Sequence, residues 1–410
     1  MKKNKYSISS YFFILWVVLF SIQNISEQYL NLSFIDEMYA LMIFPIVFFY
    51  FRNKIIKIKK TDLVIVVAIL LFVVSGLIGN FRYEYQKWNL VLIDLLTNLK
   101  FFMSIAVSIM FFDLNKLKKD QKIILIVVKS MVLMLFSMFL IDRIFNVFPN
   151  SEYRYGIKTA VLFYKHATYF AGTLIFLIAI LTLFRNKKNK WYIYMACIML
   201  VFTLRSKAIV AVAIYIILYV IVVKRNQKLK KWQIILISII CLAIAWSQIS
   251  FYFIKLGGVS ARSVMLFTAF KIVKDYFPIG TGFATYASHS AAVNYSPVYL
   301  KYGFNAIYEL RNSVDGTFFD DQFWPIILGQ TGIIGTISYI ILLSYVIKKI
   351  LRVKNTNKYS YMVGIFLFVY LLVASIAESA FNNSIAVPMA MLIGIIIKQN
   401  NIIRIEKERK

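Results

Sequence analysis

The chain has 410 residues, of which 60% are apolar and only 16% charged, with a mean hydropathy of +0.73. A water-soluble domain carries roughly a quarter charged residues, so this balance excludes one. The net charge of +29 does not point to nucleic acid, because most of the 47 Lys and Arg punctuate apolar runs on one side of the chain. That is the positive-inside pattern of a membrane protein, with anionic membrane lipids as neighbours.

Apolar runs of about eighteen residues or more recur along the length, as membrane-spanning helices require. The runs are continuous, whereas barrel strands alternate. In hydrocarbon each segment has to satisfy its own backbone, so the runs read as helices. The expectation is an all-α polytopic membrane protein with about 12 transmembrane helices. Residues 1–410 form a single membrane domain with both termini cytoplasmic.

Met1-Lys2-Lys3-Asn4-Lys5 leads into the first span, 8–24, with no small-residue cleavage site behind it. The second span is 35–51, followed by Arg52, Lys54, Lys57, Lys59 and Lys60 on the cytoplasmic side. Spans 63–79 and 90–112 come next, then Lys116, Lys118, Lys119 and Lys122 inside. Lys100 falls within a span and reads as an internal structural charge; Asp94 is poorly spaced to pair with it. Spans 123–141 and 159–184 flank an outer segment, with His166 near the outer start of the latter. The stretch 191–223 is too long for one span and divides into two short helices at Arg205-Ser206-Lys207. Span 232–251, then 322–345, 359–376 and 385–397 complete the set, each parity step agreeing with the charge rule. Cys197 and Cys241 lie inside spans, so neither a disulfide framework nor a metal site is expected.

Between 252 and 322 runs one large extracytoplasmic loop of roughly seventy residues, a length that is functional or disordered. It holds seven tyrosines, too aromatic a composition for disorder. Ser260 is a helix cap, and Arg262 opens the helix behind it. Lys271 and Lys274 point away from Arg262 at 100° per residue and read as snorkelling interfacial lysines; Lys274 is kept as a substrate contact. His289 and His166 read as substrate contacts or as ordinary surface histidines. Arg205 and Lys207 are charges drawn toward membrane depth, where charge is functional, or else an exposed turn. Asp320 and Asp321 precede a span in which Pro325 sits in the first turn. They serve as a helix cap, or one of them takes a proton from a sugar hydroxyl. No phosphate-binding loop, dinucleotide fingerprint, nucleophile elbow or zinc-helix motif occurs, and no cofactor or metal is expected.

Several pieces of this region resemble a known family. Ser260-Ala261-Arg262-Ser263, the run Ala269 to Phe283 with its Pro278-Ile279-Gly280-Thr281-Gly282 turn, Tyr295-Ser296-Pro297-Val298-Tyr299, and Asp321-Gln322-Phe323-Trp324-Pro325 through Gly335 are similar to the O-antigen polymerase and ligase superfamily, in particular its Wzy-type polymerase branch. The resemblance spans about residues 204–335. It implies a GT-C-like, metal-independent glycosyltransferase of the bacterial plasma membrane, acting on undecaprenyl-diphosphate-linked oligosaccharides as donor and acceptor. Its product would be O-antigen or capsular polysaccharide, with a chain-length regulator and a flippase as protein partners. Family arginines match Arg205 and Arg262, which would hold the lipid diphosphate. The ligase branch carries a histidine where this chain has Asp320-Asp321, which favours a polymerase with Asp321 at the acceptor hydroxyl. An O-antigen ligase, and from another class a flippase or exporter of lipid-linked oligosaccharide, are the competing readings.

Overall fold

The computed structural model describes residues 6–26, 29–53, 60–148, 152–186, 188–227, 250–311, 318–353 and 357–408, with scattered positions between 229 and 246. The span expected at 232–251 thus lies largely outside the described residues. About three quarters of the chain is helical. In chain order the helices are α1 (Ile8–Ile22), α2 (Ile35–Leu41), α3 (Ile43–Asn53), α4 (Lys60–Tyr83), α5 (Trp88–Phe111), α6 (Leu114–Lys119) and α7 (Gln121–Phe145). A two-stranded hairpin, β1 (Tyr153–Arg154) and β2 (Ile157–Lys158), leads to α8 (Ala167–Leu183), α9 (Asn189–Phe202) and α10 (Ser206–Leu218). Then come α11 (Ala261–Asp275), the short α12 (His289–Val293) and α13 (Pro297–Lys301), and finally α14 (Phe323–Arg352), α15 (Lys358–Ala374) and α16 (Ala386–Glu408).

Among the described residues, five stretches are long and apolar enough to cross a membrane: Leu63–Tyr83, Trp88–Phe111, Gln121–Phe145, Ser206–Lys224 and Phe323–Arg352. Shorter apolar helices fill the bundle, among them Ala167–Leu183 and Ala386–Gln399. The protein is an all-helical, membrane-embedded chain, with the small hairpin its only strands among the described residues. α8 is buried around almost its whole circumference, as a helix apolar on every side must be. The expected sixth span is shorter than its apolar run, because 159–165 is non-helical. The expected second span is two helices, broken at Met42.

Lys100 is a structural charge. Its Nζ lies 2.6 Å from Asp36 and 3.3 Å from Glu37, on the helix pair beside it. Asp94 serves a different contact, accepting the backbone N–H of Ala284 at 2.9 Å.

That contact belongs to the least expected feature of the fold. The turn around Pro278–Gly282 does not stand free of the bundle but inserts among α4, α5 and α14, and every residue from Gly280 to Ser288 is buried. α14 breaks at Gly332 (φ 59°, ψ −159°) to receive it, about 14 Å along the helix from Phe323. The turn pairs with backbone groups on both sides of the break. Thr281 N and Gly282 N donate to the carbonyls of Gly329 and Gln330 at 3.0 and 2.9 Å, and Ile334 N donates to Pro278 O at 3.3 Å. Asn80 holds the far side through Nδ2 to Phe283 O (2.9 Å) and Phe283 N to its Oδ1 (2.8 Å). Irregular backbone is tolerated inside a membrane bundle where it is buried and paired in this way.

A Cβ on Gly332 would fall 2.5 Å from Gly280 N and from Pro278 O, in a left-handed backbone that suits only glycine. Gly332→Ala is therefore expected to lose at least about 2 kcal/mol, read as a lower melting temperature in detergent and lower protein yield. Gly258, whose added Cβ meets nothing within 4 Å, is the control: Gly258→Ala should melt with the parent.

The rest of the long loop has its own core. Tyr299 stacks on Phe304 and Phe319 at 5.3 and 4.3 Å, and Tyr286 closes the cluster. Tyr295, Tyr299 and Tyr286, drawn on above as evidence of order, are largely the inside of this core.

Candidate functional site

Six separated segments meet at one end of the bundle. The β1–β2 hairpin brings Glu152 and Arg154, and the start of α8 brings His166. The tight turn between α9 and α10, with Leu204 at φ +51°, brings Arg205 and Lys207. α11 begins at a Ser260 cap, Ser263 N donating to Ser260 Oγ at 3.3 Å, which sets Arg262 in the first turn. Asp321 and Gln322 come from the approach to α14, and Glu378 from the connection between α15 and α16.

Their charges interlock. Arg205 Nη2 lies 3.3 Å from both carboxylate oxygens of Glu152 and also contacts His166 Nε2. Lys207 Nζ pairs with Glu378 Oε2. Arg262 Nη2 lies 3.0 Å from Asp321 Oδ2, with its guanidinium 4.4 Å over the Tyr252 ring. Yet pairing is incomplete: Arg205 Nε, Arg262 Nε, Gln322 Oε1 and Glu378 Oε1 are buried without a hydrogen-bond partner among the described residues. Two orphan donors and two orphan acceptors in one place suit a ligand that offers both anionic oxygens and hydroxyls.

These residues, Glu152 excepted, form the polar head of a cavity of about 840 Å³, with Glu152 behind Arg205. Below the head the wall turns apolar. Val210, Ile214 and Leu218 of α10 face Ile365, Phe368, Val369 and Leu372 of α15, with Ile347 and Leu351 of α14 beyond them. Along α15, from Val373 near the head to Ile365, the wall extends about 12 Å.

Burial, aided by the nearby Arg205 and Lys207 charges, pushes His166 down to about 4. Burial opposes ionisation of Glu152 too, but Arg205 and Arg154 outweigh it and hold that carboxyl below its usual range. At Asp321 burial wins over the Arg262 charge and raises the carboxyl, giving a stronger base than an exposed aspartate.

His166 gives a pH prediction with a definite sign. Its pKa is depressed in the folded protein, so between about 6.5 and 4 the unfolded chain binds more protons. Stability is then lost as pH falls through that window. The melting temperature should drop on going from pH 7 to pH 5, and His166→Gln should make the drop shallower. An unchanged slope in the variant would remove His166 from the effect.

Of the residues expected from sequence, Arg205, Lys207, Arg262, His166, Asp320 and Asp321 all line the cavity, Asp320 at its exposed rim. Lys274 and His289 are not in its wall. Both are exposed: Lys274 sits round α11 from Arg262, and His289 starts α12 in the half of the loop packed toward α5. The capping role for Asp320-Asp321 also fails. α14 starts at Phe323 with Gln322 as its N-cap and no side-chain cap bond, while Asp321 turns to Arg262. Glu309, in the loop, instead accepts from Ala261 N at 2.9 Å at the start of α11.

Sequence reasoning passed over Glu378, Glu152 and Arg154. Glu378 carried the signal that exposed Arg205: a lone charge in a short connection between apolar spans.

The fold and cavity define an all-helical membrane protein with an ion-pair-lined chamber opening onto an apolar groove. No protein-family model matches the chain, and no curated protein matches it.

Proposed function

We propose that the protein polymerises undecaprenyl-diphosphate-linked oligosaccharide repeats into a surface polysaccharide, at the outer face of the bacterial plasma membrane. The observation that carries this reading is the continuity of an ion-paired head, bearing Arg205, Lys207 and Arg262, with an apolar groove in one cavity. A lipid diphosphate bearing a sugar has that same division of character: anionic oxygens and hydroxyls at one end, a hydrocarbon tail at the other.

Arg205 and Arg262 bind the diphosphate of the donor, since guanidinium forks match phosphate oxygens, and Lys207 adds a third positive charge. The prenyl tail lies against α10 and α15. The acceptor hydroxyl of a single lipid-linked repeat loses its proton to Asp321 and attacks the anomeric carbon. A new carbon–oxygen bond forms as the bond to phosphate breaks, and the diphosphate leaves onto the arginines. One displacement inverts the anomeric centre. The resting ion pairs fit this sequence: a diphosphate competing for Arg262 releases Asp321, and its half-buried setting, which raises the carboxyl, makes the freed carboxylate a better base than a fully exposed one. Side-chain cations supply the leaving-group charge, so the reading asks for no metal or cofactor.

The test is reconstitution with purified lipid-linked repeats. Products lengthened by whole repeats support polymerisation. Transfer to a different acceptor would make the protein a ligase, and movement between leaflets without new bonds would make it a transporter.

A further inference from the structure

A second cavity, of about 250 Å³, lies at the opposite end of α8 from His166. Its wall includes Thr182, Arg185, Asn189, Lys190, Tyr215 and Tyr359. Asn189 is only 2% exposed. Its Nδ2 donates to Leu181 O at 2.7 Å and to Phe184 O at 2.9 Å, closing the C-terminal end of α8. Those two carbonyls fix which way the amide points, and they leave Oδ1 as a buried acceptor with no donor among the described residues. The Arg185 guanidinium sits 5.0 Å over the Tyr359 ring. Among the described residues no carboxylate pairs with Arg185 or Lys190, whereas Arg205, Lys207 and Arg262 at the other end each have one.

A ligand for this pocket has to bring negative charge to Arg185 and Lys190 and a hydrogen-bond donor to Asn189 Oδ1. The surface beside it says where the rest of the ligand lies. Trp191, Tyr194 and Ile198 of α9 are 71%, 56% and 45% exposed and fall on one helical face leading away from the pocket. That is an apolar track suited to an acyl chain. We propose that this pocket binds the headgroup of one anionic phosphoglycerol lipid. The phosphate engages Arg185 and Lys190, a glycerol hydroxyl donates to Asn189, and an acyl chain follows the α9 face. Basic pockets between membrane helices recognise lipid headgroups in this way. The site is separate from the cavity of the proposed reaction and stands whether or not that reading holds.

Native mass spectrometry of the full chain in detergent, with added lipid, tests it. One phosphatidylglycerol per chain should be retained about tenfold better than phosphatidylcholine. Arg185→Ala with Lys190→Ala should abolish that preference at an unchanged melting temperature. Lys116→Ala with Lys119→Ala, exposed cations on α6, should leave it intact. Equal retention of the two lipids, or a preference that survives loss of Arg185 and Lys190, would overturn the proposal. Displacement of the lipid by millimolar inorganic phosphate would also overturn it, showing a free-anion site. Phosphatidic acid bound as tightly as phosphatidylglycerol would overturn the role given to Asn189.

Discussion

Arg205→Ala and Arg262→Ala should each abolish polymer while the protein stays in the membrane at parental levels. Both guanidiniums are nearly buried at the polar head, at 15% and 20% side-chain exposure, where a charge aimed at a leaving group acts at low dielectric. Removing one such stabilising group costs on the order of 10²- to 10³-fold in rate. The folded state should be less affected, because the carboxylates left behind, Glu152 and Asp321, are 54% and 31% exposed and can be solvated. Arg→Lys at either position should recover little, since an ammonium cannot span two phosphate oxygens as a guanidinium does. Glycan length on gels, against immunoblotted protein, is the measurement. Normal chains from either alanine variant would take that arginine out of the mechanism.

The second large effect is expected at the carboxylates. Asp321→Asn keeps shape and removes only the ability to take a proton, and a general base contributes about 10²- to 10⁴-fold. Because Gln322 is the N-cap of α14, neither Asn nor Ala at 321 should disturb the helix start, which leaves activity as the clean readout. Glu378→Gln behaves differently. It strands Lys207, whose side chain is 15% exposed, and breaking a buried pair from one side costs on the order of 3 kcal/mol. A lower melting temperature with some polymer retained is the expected outcome there. Full activity in Asp321→Asn together with none in stable Glu378→Gln would move the proton role to Glu378, whose Oε1 has no partner among the described residues.

The Arg205 turn could be read from sequence because two charges interrupting an apolar run stand out whatever packs around them. Arg262 could be read because Ser260 caps its helix locally. Their partners could not. Asp321 lies 59 positions from Arg262, and Glu378 lies 171 from Lys207; nothing in either segment specifies the other. Helical spacing already turned Lys274 away from Arg262, and it is exposed there; for His289, a lone histidine in a polar loop, only the packing of α12 decided that it lies outside the cavity wall.

The sequence by itself determined that this chain lives in a membrane and is helical, and where most of its helices begin and end. Hydropathy acts residue by residue, and a backbone in hydrocarbon has to pair within its own segment. Only the tertiary structure decided that the Pro278–Gly282 turn enters the bundle. That turn is stable solely because α14 breaks at Gly332 and offers it the carbonyls of Gly329 and Gln330, with Asn80 and Asp94 holding its other side. The same holds for the cavity: its polar groups come from six segments and its apolar wall from three helices, brought to one place by packing that no local pattern encodes.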